Sequence, residues 1–474
     1  MISYFQSILP SRLFLLVLLF LSIRLPLIFL GIPATVSELL HMLVGERMAD
    51  GFAMYRDIYD NTAPLSAFVY WTIDEVAGRS YLAYRLTATA LLLLQAVLFN
   101  VTLNRHQVYA GKGYIPALLY LLLGSITFEY DMLTPLLIGN TFIVLSLPYI
   151  ITISREGFDN NRLFVGGFMV GLAALCYLPL ALFLLVAAFA VLLFASNTFR
   201  SFLLMLCGFV FPYAMLMTYY LYNNTTSYFL EMHLLQPWQF QLYTLLPPAD
   251  LLKIMLLPGL VLLLSLISAT SLPQRLVFQD KFQQLMMIWL LVSAAFVFTR
   301  SSISAGTFLV LLPPIAYFGE FLFTSRIKKW VLNVFFFLLL GGVILLRYHQ
   351  PLGLEKLVKI NESKLLLQPQ EASSLAGATV LVLGDDYSFY AQNKLATPYL
   401  NWQLSQRHFG RLDEYQAVYE LYQNFSQESP EYIVDQAGLM PQLKHRLPSV
   451  FEVYEPTQTA AVYKRSGSKV TGRF

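Results

Sequence analysis

S-E-L-L-H-M-L-V-G-E-R-M-A-D-G-F-A-M-Y-R-D-I-Y-D-N-T-A-P-L-S-A-F-V-Y-W, from Ser37 to Trp71, lies between two segments apolar enough to cross a bilayer. It carries Glu38, Glu46, Asp50, Asp57 and Asp60, with Asp74 and Glu75 just beyond. Carboxylates at a membrane interface are unfavourable unless solvated or paired. A short connector needs no such density of acids and aromatics. The stretch reads as chemistry held at a membrane surface.

Working outward, the chain has 474 residues, 57% of them hydrophobic and only 12% charged. A soluble domain carries roughly 25% charged residues. The deficit lies in the first three quarters of the chain, which predicts a membrane part over residues 1–349 and a soluble part over 350–474. A net charge of +3, with basic residues scattered through short loops, does not fit a nucleic-acid partner. Cys176 and Cys207 fall inside apolar runs and read as small buried hydrophobes.

Runs of about 20 apolar residues suit a helix crossing the hydrocarbon core. They occur near 12–32, 82–103, 113–128, 134–153, 163–177, 178–196, 201–222, 251–271, 283–299, 303–323 and 329–347. The expected fold is therefore a polytopic α-helical membrane protein of about eleven spans, with Tyr177-Leu178-Pro179 breaking the fifth from the sixth. The first run is too long for a signal-peptide core and reads as a retained span. With the N-terminus cytoplasmic, Arg12, Arg105, Lys112, Arg155, Arg162, Arg200, Arg275, Lys281, Arg326, Lys328 and Lys329 all fall on the cytoplasmic side. The acidic loop 32–80, the Glu129–Asp131 corner, the 223–250 loop and the C-terminal part then lie outside. This predicts a multi-pass protein of a cytoplasmic membrane, most simply a bacterial inner membrane, with a periplasmic C-terminal domain.

Within loop 32–80, Glu38–Ala49 is expected to form an interfacial helix capped by Ser37 and ended by Gly51. Tyr55, Tyr59, Tyr70 and Trp71 match an aromatic belt at headgroup level. The 223–250 loop either docks on the membrane surface and covers a cavity, or is a connector anchored by Trp238. From residue 378 the pattern is that of a small α/β domain: strands at 378–384, 432–435, 450–454 and 460–463, helices at 412–424 and 442–446. Its Gly384-Asp385-Asp386 has one glycine and no following lysine, so it is no phosphate loop.

Several residues are candidates for chemistry. Glu38 at the mouth of the first span would act as a general base if partly desolvated, or simply complement a helix N-terminus. Asp57 and Asp60 would converge in a tight turn on sugar hydroxyls or a divalent ion, or pair with Arg56 and Arg47 as loop charges. Glu129-Tyr130-Asp131 would face the same cavity, or be solvated at the interface. Arg300 would clamp a lipid phosphate, or snorkel as an anchor. Arg24, deep in the first span, needs a partner within the bundle or a path to a cavity. His41, His233 and His349 show no metal spacing.

An acid at the end of the first span, then a helix, then Gly51-x-x-x-Tyr55-x-Asp57 followed by Pro64-Leu65, resembles the GT-C glycosyltransferases. These integral-membrane enzymes take sugars from polyprenyl-phosphate carriers; protein O-mannosyltransferases and the aminoarabinose transferase of lipid A are among them. The Glu129-x-Asp131 corner and the run from Arg300 to Pro314 also look like theirs. Two places depart from the pattern: the usual acidic pair is Ser37-Glu38 here, and Thr62-Ala63-Pro64-Leu65 lacks a basic residue and one proline.

The resemblance implies a GT-C-like catalytic domain. It would move a sugar, with inversion, from a polyprenyl-phosphate donor to a lipid, polysaccharide or protein acceptor on the external face. Glu38 or Asp60 would be the base. Tyr55, Arg56, Asp57, Glu129, Asp131 and Arg300 would contact substrate, with the arginines on the departing phosphate. No metal is chemically required; a divalent cation, magnesium or manganese, is an open option at Glu129/Asp131. The competing expectations are a transporter, disfavoured by the scarcity of mid-span carboxylates, and a non-catalytic assembly subunit of an envelope glycan pathway.

Overall fold

A computed structural model describes the chain apart from residues 1, 152–159, 196–197, 236–242, 271–275, 300–301, 326, 355–358, 368–376, 397, 459–460 and 467–474. Each of the eleven apolar runs contains helix. Seven of these helices, among the described residues, are long and apolar enough to cross a membrane: Pro10–Leu30, Tyr81–Arg105, Thr198–Tyr222, Pro248–Thr270, Val277–Phe298, Ala305–Phe323 and Lys329–Tyr348. Pro135–Ile151, Asn161–Cys176 and Leu178–Phe194 are apolar but shorter. Ile115–Leu123 runs for 9 residues before Gly124 ends it. The break at Tyr177 is present: the backbone is extended there and a 3-10 turn restarts at Leu178.

The outer faces read as lipid-facing. Leu256, Leu260, Leu263 and Ile267 are all exposed on one stripe of Pro248–Thr270. Inside, polar side chains staple the helices. Gln95 Oε1 accepts from Tyr120 Oη at 2.8 Å and from Asn140 Nδ2 at 2.9 Å, while its amide donates to Leu137 O at 2.9 Å. Asn160–Cys176 and Thr198–Tyr222 cross at Gly167 and Gly208. A Cβ on Gly167 would sit 1.9 Å from Met205 O, so only glycine permits the approach.

The two ends of the bundle differ. At one end, Tyr114 N donates to Phe5 O at 2.7 Å and Gln6 Nε2 to Phe323 O at 3.3 Å. The other end carries the acidic loop and the C-terminal domain, so the N-terminus and that domain lie at opposite ends.

The acidic loop folds into two helices, Val36–Ala49 and Pro64–Ala77. The first begins at Val36, two residues before the expected start at Glu38. Thr35 Oγ1, not Ser37, accepts the Glu38 amide at 3.3 Å. Gly51 follows the helix with φ +95°, as its turn requires. The helices meet at Gly45, where a Cβ would lie 2.7 Å from Tyr70 O. The expected aromatic belt is not formed by the loop tyrosines. Tyr55, Tyr59 and Tyr70 are buried, and the hydroxyls of Tyr55 and Tyr70 donate to Thr62 O at 2.7 Å and Leu133 O at 3.0 Å. Those internal acceptors substitute for headgroup water.

The C-terminal domain holds a five-stranded sheet: β1 Thr379–Leu383, β2 Lys394–Leu395, β3 Tyr432–Asp435, β4 Tyr454–Pro456 and β5 Val462–Arg465. Their order is β2-β1-β3-β5-β4. β1 runs parallel to β2 and β3, and β5 antiparallel to β3 and β4. The last two strands fall later than expected, because Pro448–Phe451 turns helical. A helix at Trp402–Phe409, capped by Asn401 Oδ1, was not foreseen from the pattern.

This domain is docked on the loop. Tyr59 N donates to Pro398 O at 2.8 Å, and Asn401 N to Tyr59 O at 3.1 Å. Arg47 Nη2 pairs with Glu428 at 2.5 Å, and Arg79 Nη1 donates to Asn393 O at 3.0 Å. The linker joins as well: Val36 N donates to Leu365 O at 3.2 Å and Leu367 N to Ala34 O at 2.9 Å.

Candidate active site

Three groups of buried charge lie among the spans and the loop helices. Glu38 is gripped by Arg85 through both oxygens, Nε to Oε1 at 2.9 Å and Nη2 to Oε2 at 2.7 Å. Arg85 also donates to Ile32 O at 3.0 Å, which fixes the end of the first span over the loop helix. Burial pushes the Glu38 carboxyl up from its ordinary value, and the Arg85 guanidinium pulls against that shift. Both of its oxygens are taken by the guanidinium, so an acceptor would have to displace Arg85 to reach them.

Asp131 sits between two guanidiniums. Arg24 pairs with one oxygen, and Arg347 Nη2 pairs with the other at 2.7 Å. All three side chains are buried. Arg347 Nε donates to Ile23 O at 3.0 Å and Arg24 Nη2 to Tyr130 O at 2.6 Å, so the cluster ties first span, corner and last span together. Arg24 thus has its partner within the bundle.

Glu129 faces elsewhere. Its oxygens accept the amides of Ala305, at 3.1 Å, and Gly306, at 2.9 Å, at the start of the 3-10 turn Ala305–Leu311. Charge at such a terminus complements the aligned peptide dipoles. Near it is Glu362, buried in the linker and accepting Gln350 Nε2 at 2.7 Å. Burial, and then the Glu129 carboxylate, push Glu362 up to about 7.

Asp57 and Asp60 take different partners. Asp57 accepts Ala53 N at 2.9 Å and the exposed Arg56 guanidinium at 2.8 and 2.7 Å. Asp60 turns inward, where its Oδ2 accepts Thr62 N at 2.9 Å and the Thr62 hydroxyl. It is buried and has no ion pair among the described residues. Tyr55 holds the turn in a left-handed conformation, φ 71°, with its ring 5.9 Å from Tyr220 and 6.0 Å from Phe229. Such strain in a non-glycine residue is sustained only where surrounding contacts enforce it. Burial, chiefly, raises the Tyr55 hydroxyl well above its usual range, so it is a neutral donor.

The described part of the 223–250 loop packs against the acidic loop and the C-terminal domain. Thr226–Phe229 continues into a π-helical turn, Leu230–Leu235, and Glu231 pairs with Arg407 of the C-terminal domain at 3.2 Å. Trp238 and Arg300 lie outside the described residues.

No protein-family profile matches the chain. No curated protein matches it. Among solved structures it is similar to the archaeal oligosaccharyltransferase AglB from Archaeoglobus fulgidus, in complex with an inhibitory peptide and a dolichol-phosphate. The TM-score is 0.45 at 11% identity, over 96% of this chain and 74% of that one.

The oxygens expected to hold a divalent ion have other partners: Asp131 the two arginines, Glu129 two amides, Asp57 Arg56. Among the described residues no group of three or more His, Cys, Asp or Glu is placed to hold a metal. Asp60, also among the expected ligands, accepts the Thr62 amide and hydroxyl through Oδ2.

Arg85 and Arg347 are the residues that reading the loops overlooked. Both lie within apolar runs, and an arginine there requires a buried partner. That requirement was the available signal.

Proposed function

We propose that the chain is a glycosyltransferase of the GT-C type, taking a sugar from a polyprenyl-phosphate donor at the face that carries the C-terminal domain. The observation supporting this most is Asp60. It is the loop carboxylate that is both buried and free of an ion pair among the described residues, in an aromatic setting beneath the docked domain. With Glu38 held by Arg85, the base falls to Asp60 rather than Glu38.

In the proposed step Asp60 takes the proton of an acceptor hydroxyl or amine. The acceptor atom then bonds to the anomeric carbon from the side opposite the phosphate, and the C–O bond to the lipid phosphate breaks with its electron pair. Inversion follows from that single displacement. Arg56 at the loop surface, and Arg300, would meet the departing phosphate. Acceptors would be a lipid, polysaccharide or protein, on the external face of a cytoplasmic membrane.

The assembly-subunit reading draws on a different observation: Glu38 and Asp131 are both neutralised by arginine, as purely structural acids would be. One experiment separates the two. Purified protein, Asp60→Asn and Glu38→Gln are incubated with a panel of polyprenyl-phosphate sugars and an envelope extract, with and without chelator. Turnover of one donor by the parent but not by Asp60→Asn supports the enzyme. Absence of both donor binding and turnover in the parent supports the subunit.

A further inference from the structure

His233, on the turn Leu230–Leu235, lies beside Tyr213 of the helix Thr198–Tyr222, their rings 6.2 Å apart and 26° from parallel. His233 Nε2 and the Tyr213 hydroxyl are both shut off from solvent, and neither has a hydrogen-bond partner among the described residues. His233 is 1% exposed. Leaving two buried polar atoms unpaired is unfavourable, and native structures rarely do so without an occupant or a role.

Their surroundings are aromatic. Phe229 stacks on His233 at 5.3 Å, Tyr220 stacks on Phe229 at 4.5 Å, and Tyr55 follows at 5.9 Å from Tyr220. Tyr55 then bonds Thr62 O, and Thr62 in turn holds Asp60. The orphaned pair is thus joined by continuous contacts to the proposed base. The π-helical turn that carries His233 is a geometry often found at functional sites. Burial lowers His233 to about 4, so at neutral pH the imidazole presents one donor and one acceptor.

Two hydrogen-bonding groups left without partners among the described residues, in an otherwise aromatic setting, match a ligand that presents hydroxyls. We propose that Tyr213 and His233 form the subsite that binds hydroxyls of the transferred pyranose ring. This rests on the glycosyl-transfer reading and adds residues to it that no sequence motif marks.

The test uses full-length protein in detergent, with farnesyl phosphate and its phosphoryl-hexose and phosphoryl-N-acetylhexosamine forms as probes. Affinity is measured for the bare and the sugar-bearing lipid in the parent, Tyr213→Phe and His233→Phe. Melting temperatures are recorded alongside, and turnover is followed in the parent. A sugar-dependent gain in affinity in the parent, reduced about threefold to tenfold in both variants with bare-lipid affinity unchanged, is the expected result. A gain that survives in Tyr213→Phe overturns the subsite while leaving the transfer reading intact. No gain for any sugar in the parent also overturns the subsite; if turnover is absent too, the transfer reading fails with it. Tyr213→Phe decides the matter should His233→Phe not fold, since it removes one oxygen that has no internal partner to lose.

Discussion

Arg85 holds Glu38 by two parallel hydrogen bonds, at 2.9 and 2.7 Å, and thereby joins the second long helix to the start of the loop helix Val36–Ala49. Breaking a buried pair from one side leaves an uncompensated charge. Arg85→Ala is therefore expected to destabilise by about 3–5 kcal/mol, whereas Glu38→Gln with Arg85→Met is expected to recover much of that loss. Thermal unfolding in detergent checks both. A double variant as unstable as Arg85→Ala would show that packing, not charge, sets the loss.

Asp131 neutralises only one of two buried guanidiniums, and the other charge is offset by backbone carbonyls such as those of Tyr130 and Ile23. Asp131→Asn places two like charges together with no anion between them. Expression of folded protein should drop sharply, and Asp131→Glu should rescue it only in part, because the longer chain does not fit the same fork. Size-exclusion profiles of the three proteins read this directly.

How far the sequence foretold this site follows from what each signal encodes. Apolar length located the helices, because the requirement to cross hydrocarbon is local. Partner choice is not local: Arg85 and Glu38 are 47 residues apart, and Arg347 and Asp131 216. Reading only the basic residues in loops left those pairs out. Ser37 and Thr35 are both good caps, and composition does not choose between them. The loop tyrosines fit a headgroup belt until Thr62 and Leu133 supply buried acceptors. The sequence leaves Glu38 and Asp60 as alternative bases; the Glu38–Arg85 salt bridge that distinguishes them is one no motif announces.

Glu362 gives the fold a pH dependence. Its carboxyl is raised from 4.5 to about 7, so the folded state holds a proton more tightly than the unfolded chain. Stability therefore falls as pH rises through that window, and above pH 7 the charged form costs roughly 3 kcal/mol at 1.36 kcal/mol per unit. Glu362→Gln should melt higher than the parent at pH 8 and no higher at pH 4.5. Equal melting differences at both values would rule out titration of Glu362 as the cause.

Arg47 is the clamp between loop and C-terminal domain. It contacts Glu428 at 2.5 Å and Asp50 at 2.9 Å, and lies over the Phe52 ring at 4.3 Å. Arg47→Ala is expected to weaken docking by about 2 kcal/mol without unfolding the sheet. Amide exchange should speed up at Tyr59 and Asn401, whose backbone bonds cross the junction, and stay slow in β1 and β3. Unchanged exchange at those two amides would assign docking to the backbone bonds alone.

Asp60 is where chemistry and fold separate most cleanly. Asn in its place keeps an oxygen to accept the Thr62 amide, so Asp60→Asn should fold with a melting temperature close to the parent's. It cannot take a proton, and removing a general base typically lowers the rate about 10²–10⁴-fold. Donor affinity should hold, because the loss is confined to the step that moves the proton. A small nucleophile that is already ionised, such as azide supplied as acceptor, needs no base and should react at similar rates in both proteins. If Asp60→Asn keeps most of its turnover with a hydroxyl acceptor, the base lies elsewhere. Asp57 would then be the next carboxylate to test, since its pairing with Arg56 is at the surface and more easily exchanged.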